Sequence, residues 1–260
     1  MNYGERLTHY EERGFRHHAA AINVLIEAAL EALFSHFHEQ FVFFGGSSLV
    51  LFYGSQRHSS DLDLWLKSEP PNPQEFIAIL QPVLTEAAEA LGYSDLAIQT
   101  ETPRGDVAKY LVTSRKIPLF TIDLTRIGAV IKSEVASLPL PTGDDPVSVP
   151  VPSRNLALLF KAEAFLTRRR LKARDAFDIK LLLDSGAKLT DTLKAHLVDG
   201  PAAERLEDPE FLANRIQQVN STVCKPELEP FLPAETYREL QTSDFKSLRD
   251  ALTALFSEWL

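Results

Sequence analysis

Residues 61–66 read Asp-Leu-Asp-Leu-Trp-Leu, and no other stretch of this 260-residue chain limits its fold so tightly. Alternation of polar and apolar side chains marks a β-strand with one covered face. Leu62 and Leu64 then anchor that strand in a core, and Asp61 and Asp63 share the opposite face. Two carboxylates placed this way lie about 7 Å apart and repel each other unless a cation sits between them. Hard oxygen ligands suit Mg²⁺ (or Mn²⁺), which binds through one or two carboxylates plus substrate phosphates. The plainer reading is a strand edge with two solvated carboxylates. The apolar neighbours Leu62, Leu64, Trp65 and Leu66 weigh against it.

A one-faced strand needs partner strands and a covering layer. In residues 17–37, Ile22, Ile26, Leu30, Leu33 and Phe37 recur at helical spacing and predict a core-packed helix. Phe41-Val42-Phe43-Phe44 is a short buried strand, and after Gly45-Gly46 a short helix spans 47–53 and ends at Gly54. Pro71 and Pro73 open a helix to about residue 91, and residues 96–100, 109–113 and 119–127 read as strands. Residues 138–152 hold five prolines with Gly143, Asp144 and Asp145, which is loop chemistry at a domain boundary. Ser153 can cap a helix over 153–169, a second helix covers 174–183, and Gly186 is its C-cap. Residues 190–260 are mostly helical, with breaks near Gly200-Pro201 and between Pro226 and Pro233. The order predicts an α+β fold: a mixed sheet with helices in residues 1–150, then a helical region in residues 151–260.

The chain carries 27 Lys and Arg against 36 Asp and Glu, a net charge of −9, with 45% apolar and 24% charged residues. That is the mix of a soluble globular protein and excludes a disordered chain. A single cysteine, Cys224, excludes an intrachain disulfide and a thiolate zinc cluster. The acidity excludes a protein coated in positive charge for nucleic acid. One basic island stands out, because residues 153–182 hold eight basic and three acidic side chains. Residues 1–16 are polar and lack the apolar core of a signal peptide. The most apolar stretch, 19–34, is interrupted by Asn23, Glu27 and Glu31 and is shorter than the ~20 residues of a membrane span. The expected compartment is the cytoplasm, with no membrane partner. His17, His18, His36 and His38 show no metal-ligand spacing.

Gly45-Gly46-Ser47 joins a strand to a helix. Glycines let a ligand approach the backbone, Ser47 can cap the helix, and a helix N-terminus suits a phosphate. The same residues also fit an ordinary tight turn. Asp123 interrupts the apolar strand Phe120-Thr121-Ile122-Asp123-Leu124 and needs a partner there, either a metal or a base such as Arg126. If that strand neighbours residues 61–66, three carboxylates converge, and the third can bind metal or accept a proton.

Taken together, Gly45-Gly46-Ser47, Tyr53-Gly54, Arg57-His58-Ser59-Ser60-Asp61-Leu62-Asp63-Leu64 and the later Asp123 resemble the polymerase-beta-like nucleotidyltransferase superfamily. The finer resemblance is to the AbiEii/AbiGii-type toxins of abortive-infection systems and the similar MenT toxins. The family's second block, a helical Lys, an Arg and then Arg-Asp-x-x-Asp, is matched by Lys161, Arg168 and Arg174-Asp175-Ala176-Phe177-Asp178. Without the resemblance, Arg174 and Asp178 are an i,i+4 pair on a solvated helix. The resemblance implies a polymerase-beta-like core and transfer of a nucleoside monophosphate from an NTP to an RNA end, tRNA above all, in a toxin opposed by a cognate antitoxin. It assigns Asp61, Asp63 and Asp123 to metal. Gly45, Gly46, Ser47, Arg57, Ser59 and Lys161 fall to the nucleotide, and Asp175 and Asp178 to orienting Lys161 or substrate. The run Arg168, Arg169 and Arg170, with Arg174, fits a solvated helix end, but its place after the helix of Lys161 also makes these four candidate RNA phosphate contacts. A rival acceptor is a small hydroxylated molecule such as an aminoglycoside, and a rival class is a non-catalytic interaction module. Haloacid-dehalogenase-like phosphatases also begin on Asp-x-Asp, but Trp65 stands where they need a Thr.

Overall fold

The computed structural model describes residues 1–37, 40–101, 108–126, 134–141 and 147–260. His38, Ile127, Gly143, Asp144 and Asp145, named above, lie outside the described residues. The fold is α+β, and the chain divides into two compact units, Met1–Pro152 and Ser153–Leu260.

The first unit opens with α1 (Tyr3–Glu12) and α2 (His17–His36), followed by β1 (Phe41–Phe44), α3 (Gly45–Phe52), β2 (Asp61–Leu66) and α4 (Pro73–Ala90). Next come β3 (Leu96–Glu101), β4 (Ala108–Ser114), β5 (Ile117–Arg126), β6 (Val135–Pro139) and β7 (Ser148–Pro152). Five strands form one sheet in the order β1-β2-β5-β4-β3, in which only β2 and β5 run parallel. One face of the sheet, with Phe41, Phe43, Leu62, Leu64, Ile122 and Leu124, shares a single apolar core with α2 and α4. Phe76 of α4 stacks on Tyr110 of β4, with ring centroids 4.7 Å apart. α2 is long and apolar enough to cross a membrane by length and composition, yet most of it is buried in this core. Strand alternation leaves Asp61, Asp63, Thr121 and Asp123 on the other face.

In the first unit two elements depart from expectation. Residues 1–16 look merely polar, but α1 forms there. The Asn2 side chain accepts from the Glu5 N–H and the Glu5 carboxylate from the Asn2 N–H, a reciprocal cap. α1 is then fixed to α2 by Arg6–Glu31 at 2.8 Å and by the Tyr10 hydroxyl, which donates to buried Glu27 at 2.5 Å. The proline-rich stretch 138–152, expected as loop, holds parts of the β6–β7 ribbon. In a two-stranded ribbon each strand has an outer edge that needs no ladder bonds, so Pro139, Pro150 and Pro152 are tolerated.

The second unit is helical among its described residues. α5 (Arg154–Thr167), capped by Ser153 Oγ, packs on α6 (Ala173–Asp184), which Gly186 follows with a positive φ. α7 (Asp191–Asp199), α8 (Ala203–Leu206), α9 (Pro209–Gln217), α10 (Ser221–Leu228), α11 (Ala234–Thr242) and α12 (Lys246–Leu255) complete it. The expected break at Pro226 falls instead inside the short helix α10.

Candidate active site

The parallel pairing of β2 with β5 builds the site. Asp63 is directly opposite Asp123, and Asp61 is opposite Thr121, whose hydroxyl donates to Asp61 Oδ1 at 3.0 Å. Neighbouring strands lie about 4.8 Å apart, so three carboxylates occupy one patch of sheet opposite the core. Phe44 lies opposite Asp63 on β1 and stacks on Trp65 at 4.4 Å, giving that patch an aromatic border.

Both glycines are required by what packs on them. Gly45 has φ +81°, a conformation open to glycine, and a Cβ there would lie 1.9 Å from Asp63 Oδ2. A Cβ on Gly46 would lie 2.5 Å from Ser59 Oγ and 2.8 Å from an Arg57 guanidinium nitrogen. Arg57 and Ser59 are both buried against this turn. Ser47 does not cap α3: the helix begins at Gly45 after the extended residue Phe44. The buried Ser47 hydroxyl donates to the Asp61 carbonyl at 2.6 Å and so ties α3 to β2. Its proton is therefore committed, and with no side chain capping α3, the first-turn N–H groups at Gly46 and Ser47 are left to receive an anion.

Asp123 pairs with Lys109 of β4 rather than with Arg126, which pairs with Glu69. Lys109 Nζ donates to Asp123 Oδ2 at 3.3 Å and stands 3.2 Å from Oδ1, which is buried and makes no hydrogen bond. Burial raises the Asp123 pKa, Lys109 opposes that rise, and Asp61 and Glu101 add to it. Among the described residues no three His, Cys, Asp or Glu side chains converge tightly enough to hold a metal ion by themselves. Two carboxylates completed by substrate phosphates are nevertheless the donor set that Mg²⁺ takes. Asp61 and Asp63 fit that set, and Asp123 faces them with its carboxylate held by Lys109.

The second block of candidate residues lies in the second unit and is more deeply buried than a solvated helix face. Asp175 and Asp178 are 2% and 0% exposed. Lys161 Nζ lies 2.7 Å from Asp178 Oδ2 and 3.8 Å from Asp175 Oδ1, and Arg168 Nε lies 3.2 Å from Asp175 Oδ2. Arg174 turns away from Asp178 to Glu227, which also holds Lys172. Sequence reasoning misses Lys109, Thr121 and Glu227. Thr121 has a signal, since Thr121 and Asp123 repeat on β5 the two-residue spacing of Asp61 and Asp63. Lys109 and Glu227 have none, because their partners are 14 and 55 residues away.

The family model of the AbiEii nucleotidyl transferase toxin, a type IV toxin–antitoxin system, matches residues 28–254. No curated protein matches the sequence. JHP933 from Helicobacter pylori is 16% identical, covers 93% of each chain and superposes with a TM-score of 0.57. A candidate nucleotidyltransferase from H. pylori is 17% identical over 94% of this chain and 97% of its own, also at 0.57. The nucleotidyltransferase toxin MenT4 from Mycobacterium tuberculosis is 17% identical over 85% of this chain and 73% of its own, at 0.46. At these identities the likeness to the two H. pylori structures is one of fold.

Proposed function

Because the chain belongs to the AbiEii nucleotidyl transferase toxin family, and so is a nucleotidyltransferase with a nucleotide substrate, we propose that it transfers a nucleoside monophosphate from an NTP to the 3′ end of an RNA, with tRNA as acceptor and pyrophosphate released. The observation that supports this most is the Asp63–Asp123 pair across parallel strands, with Asp61 two residues before it and the Gly45-Gly46 turn against it. Asp61 and Asp63 are the residues that would hold Mg²⁺ (or Mn²⁺). When bound, such an ion neutralises and orients the transferring phosphoryl group.

The chain's own groups supply the rest of the chemistry. The N–H groups of Gly46 and Ser47 take phosphate oxygens, with Arg57 and Ser59 holding the turn in shape behind them. Asp123, whose burial favours protonation, takes the proton of the attacking hydroxyl. Lys109 fixes the orientation of that carboxylate, and a second cation at Asp123 requires Lys109 to withdraw. Lys161, a compact point charge, is the proposed further cation for the triphosphate, with Asp178 and Asp175 holding its ammonium. The family also implies a cognate antitoxin.

Incubation with total RNA and each labelled NTP in turn tests the reading. Labelled RNA is expected with one or more NTPs. Asp63→Ala is expected to remove that label while the protein stays folded, and Lys161→Ala to raise the KM for NTP or abolish transfer. Label found only on a small hydroxylated molecule replaces the acceptor. No label with any NTP and any acceptor overturns the enzyme reading in favour of an interaction module.

A further inference from the structure

The basic island over residues 153–182 is less available than its composition suggests. Lys161 and Arg168 face Asp175 and Asp178, Lys172 and Arg174 face Glu227, and Lys180 faces Asp184. Arg169 and Arg170 differ. Both are exposed, and among the described residues neither makes a hydrogen bond or an ion pair. They stand together on the wall of a cavity of about 490 Å³ that lies wholly within the second unit. Val223 and Pro226 give this cavity an apolar side, and Gln218 and Thr222 add exposed polar side chains that make no hydrogen bond among the described residues. Glu227 also reaches the wall, but its carboxylate is already neutralised by Lys172 at 2.8 Å and Arg174 at 3.3 Å.

Two uncommitted guanidinium groups, an apolar wall and exposed polar edges are the complement of a nucleotide. Guanidinium forks bind phosphate oxygens in pairs, apolar side chains cover a base face, and amide and hydroxyl groups read a base edge. The volume lies within the range of roughly 300–1,000 Å³ usual for small-ligand sites. We propose that this cavity docks one internal nucleotide of the acceptor RNA, with its phosphodiester on Arg169 and Arg170, its base against Val223 and Pro226, and its edge toward Gln218 and Thr222. The inference rests on the reading that RNA is the acceptor. It deepens that reading, because it assigns the grip on the strand to two residues out of the whole basic island.

The test uses the full-length protein and fluorescently labelled total tRNA at fixed salt. Arg169→Ala/Arg170→Ala is expected to raise the Kd for tRNA at least tenfold and to lower nucleotide transfer to sub-saturating RNA in proportion. The stabilisation of the protein by Mg²⁺ and NTP is expected to remain as in the wild type. Thr222→Glu places a carboxylate in the cavity at the second residue of α10, where negative charge suits a helix start and leaves the fold intact. It is expected to weaken tRNA binding like the arginine pair, and Arg169→Lys/Arg170→Lys to restore part of it. Wild-type RNA affinity in both variants, from an enzyme that labels RNA, overturns the cavity assignment and leaves the acceptor reading standing. Loss of NTP stabilisation together with RNA binding also overturns it, by showing that these residues act through the fold. A wild-type protein that labels no RNA overturns the acceptor reading and this inference with it.

Discussion

His58 lies three residues before Asp61, and its titration is displaced. Burial, then the neighbouring His18 and Arg57, push its pKa down to about 4, while Asp61 pulls the other way. In the unfolded chain the same imidazole takes up its proton near pH 6.5, so between those values the unfolded state binds more protons than the folded one. Stability is therefore complete above pH 6.5 and falls as pH drops, by about 3 kcal/mol once pH is below 4 and the folded state is protonated as well. His58→Gln in metal-free buffer is expected to flatten the fall in Tm across that window, and identical slopes for the two proteins would show that His58 is not the cause. The sequence shows where such a histidine stands, but its burial depends on packing that no local pattern encodes. The glycines contrast with it, because Gly45 and Gly46 are legible as a close-approach turn even though the occupants of the space, Asp63, Arg57 and Ser59, are supplied by the fold.

α5 and α6 are joined through charge as well as through apolar packing. Asp178 is fully buried, and its partner Lys161 is nearly so. Removing one member of such a pair leaves the other charged and without compensation in a poorly solvating interior. Asp178→Asn is expected to cost about 3 kcal/mol of stability, read as a lower midpoint in urea. Asp63→Asn, on the half-buried sheet face away from the core, is expected to cost clearly less. Equal losses in the two variants would mean that Asp178 has no special place in holding these helices. The contrast separates a carboxylate kept for structure from one kept for chemistry, which the resemblance alone does not do. The long helices and the central strands are legible because their periodicity is set by a large buried face. α1 escapes notice because its apolar stripe, Tyr3, Leu7 and Tyr10, is narrow and its ties to α2 are polar, Arg6 and Tyr10 reaching Glu31 and Glu27. The β6–β7 ribbon escapes because proline content signals loop wherever strands are assumed to pair on both sides.

At the scale of the whole molecule, a net charge of −9 and internal pairing of most of the basic island leave little positive charge for RNA. One phosphate contact on a single strand gives a slope of about −0.7 in log affinity against log salt. We expect a slope near that value in tRNA titrations, and one several units steeper would show that the internal ion pairs open to meet the RNA. The sheet has a further consequence. β1–β2 and β3–β4–β5 are two antiparallel patches, and among the described residues the β2–β5 ladder is what joins them. Asp61 and Asp63 stand on one lip of that joint and Asp123 on the other, and 60 residues separate Asp61 from Thr121, which faces it across the joint. Contacts so distant along the chain carry a high loop-closure cost before they reward it. The three carboxylates therefore meet only where this one ladder is closed. Opening it would part Asp61 and Asp63 from Asp123 without altering any of the three side chains.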